Sequence, residues 1–150
     1  MKTLHIGIDP GANGGIAYTD SDGIVQAIPM PDGMTAQCDM IRSLAVHLPG
    51  AKVVMERVGS YVPGNSGPSA AKFARHCGHL DAACYMAGLP VQLVAPQTWQ
   101  KAVGLMPKDK GERKRAIKEA MQRRYPHLGV TLKTADALGI LTWAAGREAL

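Results

Sequence analysis

The chain reads as an α/β protein built on one mixed sheet, an antiparallel three-strand meander extended by parallel strands, with helices on both faces. Three observations predict this. Short β-branched runs come first, separated by tight turns, and helical repeats follow. The resulting order, βββαβαβααα, needs crossover helices only for the later strands, as a mixed sheet does. The length of 150 residues, 46% hydrophobic and 19% charged, suits one domain with a hydrophobic core. The reading is therefore a single domain over 1–150.

Each element has its own signal. "LHIGI" (4–8) is a short strand rich in β-branched residues, and "DPGANGG" (9–15) is a turn carrying an Asn-Gly hairpin pair. "IAYTD" (16–20) and "GIVQAIPM" (23–30) complete the meander. In "TAQCDMIRSLAVHL" (35–48), Met40, Ile41, Leu44, Ala45 and Leu48 recur at helical spacing. "KVVME" (52–56) is a strand, followed by the loop "RVGSYVPGNSGPS" (57–69). Phe73, Cys77, Leu80 and Cys84 form one stripe of a helix over 69–88. "PVQLVA" (90–95) is a strand, and Pro96 opens a short helix over 96–105. A charged loop (106–112) leads to a helix over 112–125, with Ala116, Ile117, Ala120 and Met121 inward and Pro126 as its stop. The last helix spans 134–150, with Thr134 as cap, Asp136 in the first turn, and Leu138, Leu141 and Ala145 inward.

Charge narrows the partner. Residues 101–124 hold nine of the 17 Lys/Arg and three of the 12 Asp/Glu, so this segment carries the net charge of the chain. A basic segment on a neutral body points to a polyanion such as nucleic acid. No apolar run approaches the roughly 18 residues of a membrane span. The opening "MKTLHIGIDPG" carries no secretion-type apolar segment, so the expectation is a cytoplasmic protein. Cys38, Cys77 and Cys84 are an odd count without disulfide spacing. "HCGHLDAAC" (76–84) fits no closed zinc motif.

Three acids stand at element ends: Asp9 after the first strand, Glu56 after the fourth, and Asp136 at the start of the last helix. If strands one and four are parallel neighbours, Asp9 and Glu56 lie side by side at the strand ends where open α/β sheets bind ligands. Close buried carboxylates repel unless a cation sits among them. Oxygen-only donors suit Mg²⁺, with Mn²⁺ as substitute. Such ions serve phosphodiester hydrolysis. Gly11, Gly14 and Gly15 would let a phosphate approach the backbone.

"IGIDPGANGGIAY", "VVMERV" and "TADALGI", in this order and spacing, resemble the RuvC family of Holliday-junction resolvases, in particular RuvC-like enzymes of phages and prophages. "APQTWQKAVGL" with its lysine-rich sequel is similar to the same group. The resemblance implies an RNase H-like fold, a homodimer, and Mg²⁺-dependent nicking of two strands of a four-way DNA junction. It implies Asp9, Glu56 and Asp136 as metal ligands. It places Lys101, Lys108, Lys110, Lys114 and Lys118 near the DNA backbone, and Arg113 belongs to the same basic segment. The pattern departs at Lys133, where many members carry an acid or histidine three positions before the last aspartate; a protonated lysine holds no metal but can face the transition-state phosphate or contact DNA. Gly139 supplies no replacement acid one turn on. Tyr61, in the loop after Glu56, is placed to stack on a base or wedge a junction. A stripe of small residues, Ala70, Ala74, Gly78, Ala82 and Ala83, is a candidate helix–helix dimer contact.

Rival functions share parts of this pattern. Sugar kinases and actin-like ATPases open similarly but need two such domains. Another nuclease of the same fold, acting on other branched DNA, RNA or RNA–DNA hybrid, would share the acids. A non-catalytic junction-binding module would keep the basic segment, and Lys133 is compatible with it.

Overall fold

The computed structural model describes residues 3–59, 64 and 66–148. The elements are β1 (His5–Asp9), β2 (Gly15–Thr19), β3 (Val25–Pro29), α1 (Gly33–His47), β4 (Lys52–Glu56), α2 (Gly67–Met86), β5 (Val91–Val94), α3 (Pro96–Val103), α4 (Lys110–Arg124) and α5 (Leu132–Glu148). Their order is the expected one. The sheet runs β3-β2-β1-β4-β5. The meander β1–β2–β3 is antiparallel, and β4 and β5 are added in parallel through α1 and α2.

The two-residue period of the strands sorts the core into two layers. Ile6, Ile8, Ile16, Val53 and Met55 pack with Ile41, Leu44 and Leu48 of α1 and its end, and with Leu80 and Cys84 of α2. Ala17, Val54 and Val94 pack on the other face with Trp99 of α3, Ile117 and Met121 of α4, and Leu138 and Leu141 of α5. Helices thus cover both faces, as expected.

Two glycines let α5 lie close. A Cβ on Gly7 would stand 2.7 Å from the Ala137 carbonyl oxygen and 2.9 Å from the Leu141 nitrogen. A Cβ on Gly139 would stand 2.5 Å from the ring of Trp99. The second contact explains why no side chain of any kind stands at 139. Gly7→Ala sets a methyl group against helix backbone that cannot rotate away. It should cost about 2–3 kcal/mol, read as a fall of several degrees in the thermal midpoint. An unchanged midpoint would show that α5 does not rest on β1 this closely.

Several boundaries differ from expectation. α5 starts at Leu132, two residues early, because Thr131 is its cap. The Thr131 N–H donates to Thr134 Oγ1 at 3.1 Å, and Thr134 N–H to the Thr131 carbonyl at 3.2 Å. Thr134 is therefore the third helical residue, its hydroxyl accepting the Thr131 N–H, and Asp136 lies in the second turn. Ala145 is exposed while Ala144 is buried, so the inward stripe continues Leu138, Leu141, Ala144. Ala83 packs against the core, so the exposed small stripe of α2 is Ala70, Ala74, Gly78 and Ala82. Among the described residues, no helix is long and apolar enough to cross a membrane.

Candidate active site

Asp9 and Glu56 are the last residues of adjacent parallel strands, one step beyond the Ile8–Met55 pair. Asp9 shares strand parity with Gly7, which faces α5, and Glu56 shares it with Val54 of the same layer. Both carboxylates therefore leave the sheet on the side that α5 covers. Asp136 comes from α5 itself, one residue before the carbonyl that rests over Gly7. The three acids line one cavity of about 420 Å³ together with the hairpin residues 10–14, Phe73, Pro96, Gln100, Ile117, Lys110, Arg113 and Lys114.

The glycines of the hairpin serve the fold first. A Cβ on Gly14 would lie 1.9 Å from the Asp9 carbonyl oxygen, and one on Gly15 2.5 Å from that of Lys133. Gly11 has φ +122°, a conformation that L side chains rarely adopt. Gly14 and Gly15 are thus required by the packing around Asp9 and the start of α5, a reason independent of any phosphate.

Burial lifts the Asp9 carboxyl, and the charges of Asp136 and Glu56 lift it further, to about 8; Lys114 opposes them. Burial also raises Glu56, against the pull of the Trp99 indole, whose Nε1–H donates to Oε2 at 2.7 Å. Asp136 is raised by burial and drawn back by Lys114 and Arg113. Three acids that resist ionisation in one cavity, also lined by Lys110, Arg113 and Lys114, are a set suited to a bound cation. The donors are all carboxylate oxygens, which suits a hard divalent ion. As placed, no three His, Cys, Asp or Glu side chains among the described residues converge closely enough to ligate one ion. The donor chemistry therefore fits, and ligation by all three acids requires side-chain adjustment, Glu56 being the one tied to Trp99.

The basic segment divides by position. Lys110, Arg113 and Lys114, at helical spacing on one face of α4, line the cavity. Asp109 caps that helix by accepting the Glu112 N–H at 2.9 Å, and the Arg113 guanidinium donates to the Lys108 carbonyl at 3.1 Å. Lys101, Lys108 and Lys118 are not among the lining residues. Neither is Lys133, which is exposed in the first turn of α5. Tyr61 lies outside the described residues. Trp99 is fully buried, and its bond to Glu56 was not foreseen from the sequence. The available signal was that a buried indole N–H needs an acceptor. Phe73 and Gln100 carried no such signal.

No family model and no curated protein matches the chain. Solved structures do. RuvC of T. thermophilus in complex with a Holliday junction substrate superposes with a TM-score of 0.62 at 17% identity, over 98% of this chain and 96% of that one. The fold is that of RuvC. A second Thermus thermophilus RuvC structure gives 0.60 at 18% identity, again over 98% and 96%. The yeast mitochondrial Holliday junction resolvase gives 0.50 at 17% identity, over 98% of this chain and 81% of that one. The RuvC resemblance read from the sequence therefore holds for the fold along nearly the whole chain.

Proposed function

We propose that the chain is a divalent-metal-dependent endodeoxyribonuclease that resolves four-way DNA junctions by paired symmetric nicks, acting as a homodimer. The observation that carries this reading is the one cavity lined by Asp9, Glu56 and Asp136 together with Lys110, Arg113 and Lys114. Acids at adjacent strand ends with a cation wall are suited to holding a phosphodiester beside a divalent ion. Asp9, Glu56 and Asp136 would hold Mg²⁺ or Mn²⁺. Such an ion, when bound, polarises the phosphodiester and makes water a better nucleophile. Lys110, Arg113 and Lys114 bind the phosphate from the opposite wall and offset the charge that builds on it. Lys101, Lys108 and Lys118 extend the basic surface along the arms of the junction, and Tyr61 and Lys133 are retained as DNA contacts.

Dimerisation would supply the second nick. On α2, Ala74, Gly78 and Ala82 expose a stripe narrow enough for close helix approach. It leads to Tyr85 and Met86, 82% and 81% exposed. The edge strand β5 adds Leu93, 52% exposed. A two-fold pairing of this surface would cover it and set two cavities in a fixed relation, which a junction fits and a straight duplex does not.

The test is a labelled synthetic four-way junction with Mg²⁺, with linear duplex and RNA–DNA hybrid as controls. Paired symmetric nicks in the junction alone are expected. Preferred cleavage of the hybrid would favour another nuclease of this fold. Tight junction binding without cleavage in Mg²⁺ or Mn²⁺ would favour a binding module. Because the contacts are to phosphates, affinity should depend little on sequence and fall with salt, each contacted phosphate adding about −0.7 to −0.9 to the log–log slope. A flat salt dependence would count against this mode of binding.

A further inference from the structure

Resting on the nuclease reading above, we propose that His76 is a positioning residue that seats the hairpin carrying Asp9. The Gly11 N–H, two residues after Asp9, donates to His76 Nε2 at 2.9 Å across a separation of 65 residues. The Gly11 carbonyl accepts the Gly14 N–H at 3.0 Å, so both backbone groups of this residue are committed. Its φ of +122° sets the direction of the amide. From the same helix as His76, Phe73 stands 3.5 Å from where a Gly11 Cβ would be. Thus α2 clamps the hairpin from one side with a ring contact and a hydrogen bond.

The proton pattern around His76 has one solution. Nε2 accepts from Gly11, so in the neutral ring the proton sits on Nδ1. Nδ1 then donates to Gln37 Oε1 at 3.1 Å. Gln37 is buried on α1, and its Nε2 donates to the Pro31 carbonyl at 2.8 Å. That bond turns Oε1 towards the two histidines, and His79 Nε2 donates to the same oxygen. Reversing the amide would set Oε1 against the Pro31 carbonyl and the amide hydrogens against the His76 Nδ1–H. An imidazolium at His76 would set its own N–H against that of Gly11. Burial first, and the neighbouring His79 next, hold the His76 pKa below its ordinary value, in keeping with a neutral ring. The network therefore links the start of α1, through Gln37 and His76, to the backbone beside Asp9. Small displacements of reacting groups are costly, about 10²-fold for 1 Å, so this link governs turnover more than DNA affinity.

Two isosteric variants of the full chain separate the bonds. In His76→Asn the amide nitrogen replaces Nδ1 and keeps the donor to Gln37, while the acceptor for Gly11 is lost. In His76→Gln the amide oxygen reaches the Nε2 position and keeps the acceptor. Junction turnover should fall by about tenfold or more in His76→Asn, with junction Kd within about twofold of wild type, and His76→Gln should retain most of the activity. Equal turnover in the two variants would overturn the proposal, as would a loss confined to binding. A second measurement does not depend on cleavage. Long-range ¹H–¹⁵N spectra of the wild type should show an unprotonated Nε2 at His76, and the Gly11 amide should be protected from hydrogen exchange. Protection should survive in His76→Gln and vanish in His76→Asn. A protonated Nε2 or an unprotected Gly11 amide in wild type would overturn the anchor even where a variant fails to fold. A wild type that shows this anchor but cleaves no junction would instead overturn the nuclease reading and the catalytic role with it.

Discussion

Asp9→Asn is expected to abolish junction cleavage and to make the metal-free protein more stable at alkaline pH. Both effects come from one carboxyl group. Its pKa is about 8 in the fold, against an ordinary value of 3.8, because of burial first and then the charges of Asp136 and Glu56. A carboxyl whose pKa is raised on folding costs nothing below its ordinary pKa, where it is protonated in both states. Its penalty grows as pH rises from about 4 and is complete above about 8, of the order of 5–6 kcal/mol. Asparagine keeps the shape and removes the charge. Thermal melts in chelator should therefore show wild type losing stability between pH 5 and pH 9 relative to Asp9→Asn, with the widest gap at pH 9. Excess Mg²⁺ should narrow that gap by stabilising wild type, since a ligand of the native state shifts its midpoint. Cleavage by the variant should fall about 10³-fold or more while junction binding persists. An Asp9→Asn protein no more stable than wild type at pH 9 would show that the three acids do not burden the fold. A variant that still cleaves would remove Asp9 from the chemistry.

Much of this site was legible in the sequence, and its limits have physical causes. The strand period fixed which residues share a face, so Asp9 and Glu56 could be paired once β1 and β4 were neighbours. That adjacency is a long-range property, and it was reached as a condition of the reading. The approach of α5 depended on Gly7 and Gly139, whose role is the absence of a side chain, and absence leaves no periodic signal. The cap of α5 was misplaced because Thr131 and Thr134 both suit a helix start, and the bond from the Thr131 N–H to the Thr134 hydroxyl distinguishes them. The basic segment was found by composition. Composition could not sort Lys110, Arg113 and Lys114 from Lys101, Lys108 and Lys118, which depends on how α3 and α4 are oriented over the sheet. His76 was set aside with a zinc motif that did not fit; its partner Gly11 is 65 residues away and bonds through its backbone.

The division of the basic residues predicts two kinds of lysine variant. Lys114 lines the cavity, and its charge opposes the upward shift of both Asp9 and Asp136. On the nuclease reading it would sit where negative charge accumulates as a phosphodiester is attacked, and a fixed cation there needs no reorganisation during the step. Lys114→Met keeps most of the aliphatic stem and removes the charge. It should lower turnover about 10²- to 10³-fold, in line with loss of one preorganised stabilising group. It should also deepen the alkaline instability of the metal-free protein, because Asp9 loses the cation that favours its ionised form. Lys118, one turn further along α4 and not among the cavity residues, should behave differently. Lys118→Met should weaken junction binding, reduce the salt slope by about one phosphate contact, and leave turnover at saturating junction near wild type. The decisive comparison is turnover at saturating DNA alongside the pH dependence of the melts in chelator. If both variants lose affinity alone, the cation wall serves DNA binding and has no part in the reaction. If Lys114→Met loses turnover and shifts the melts while Lys118→Met does neither, one helix carries both functions, separated by a single turn.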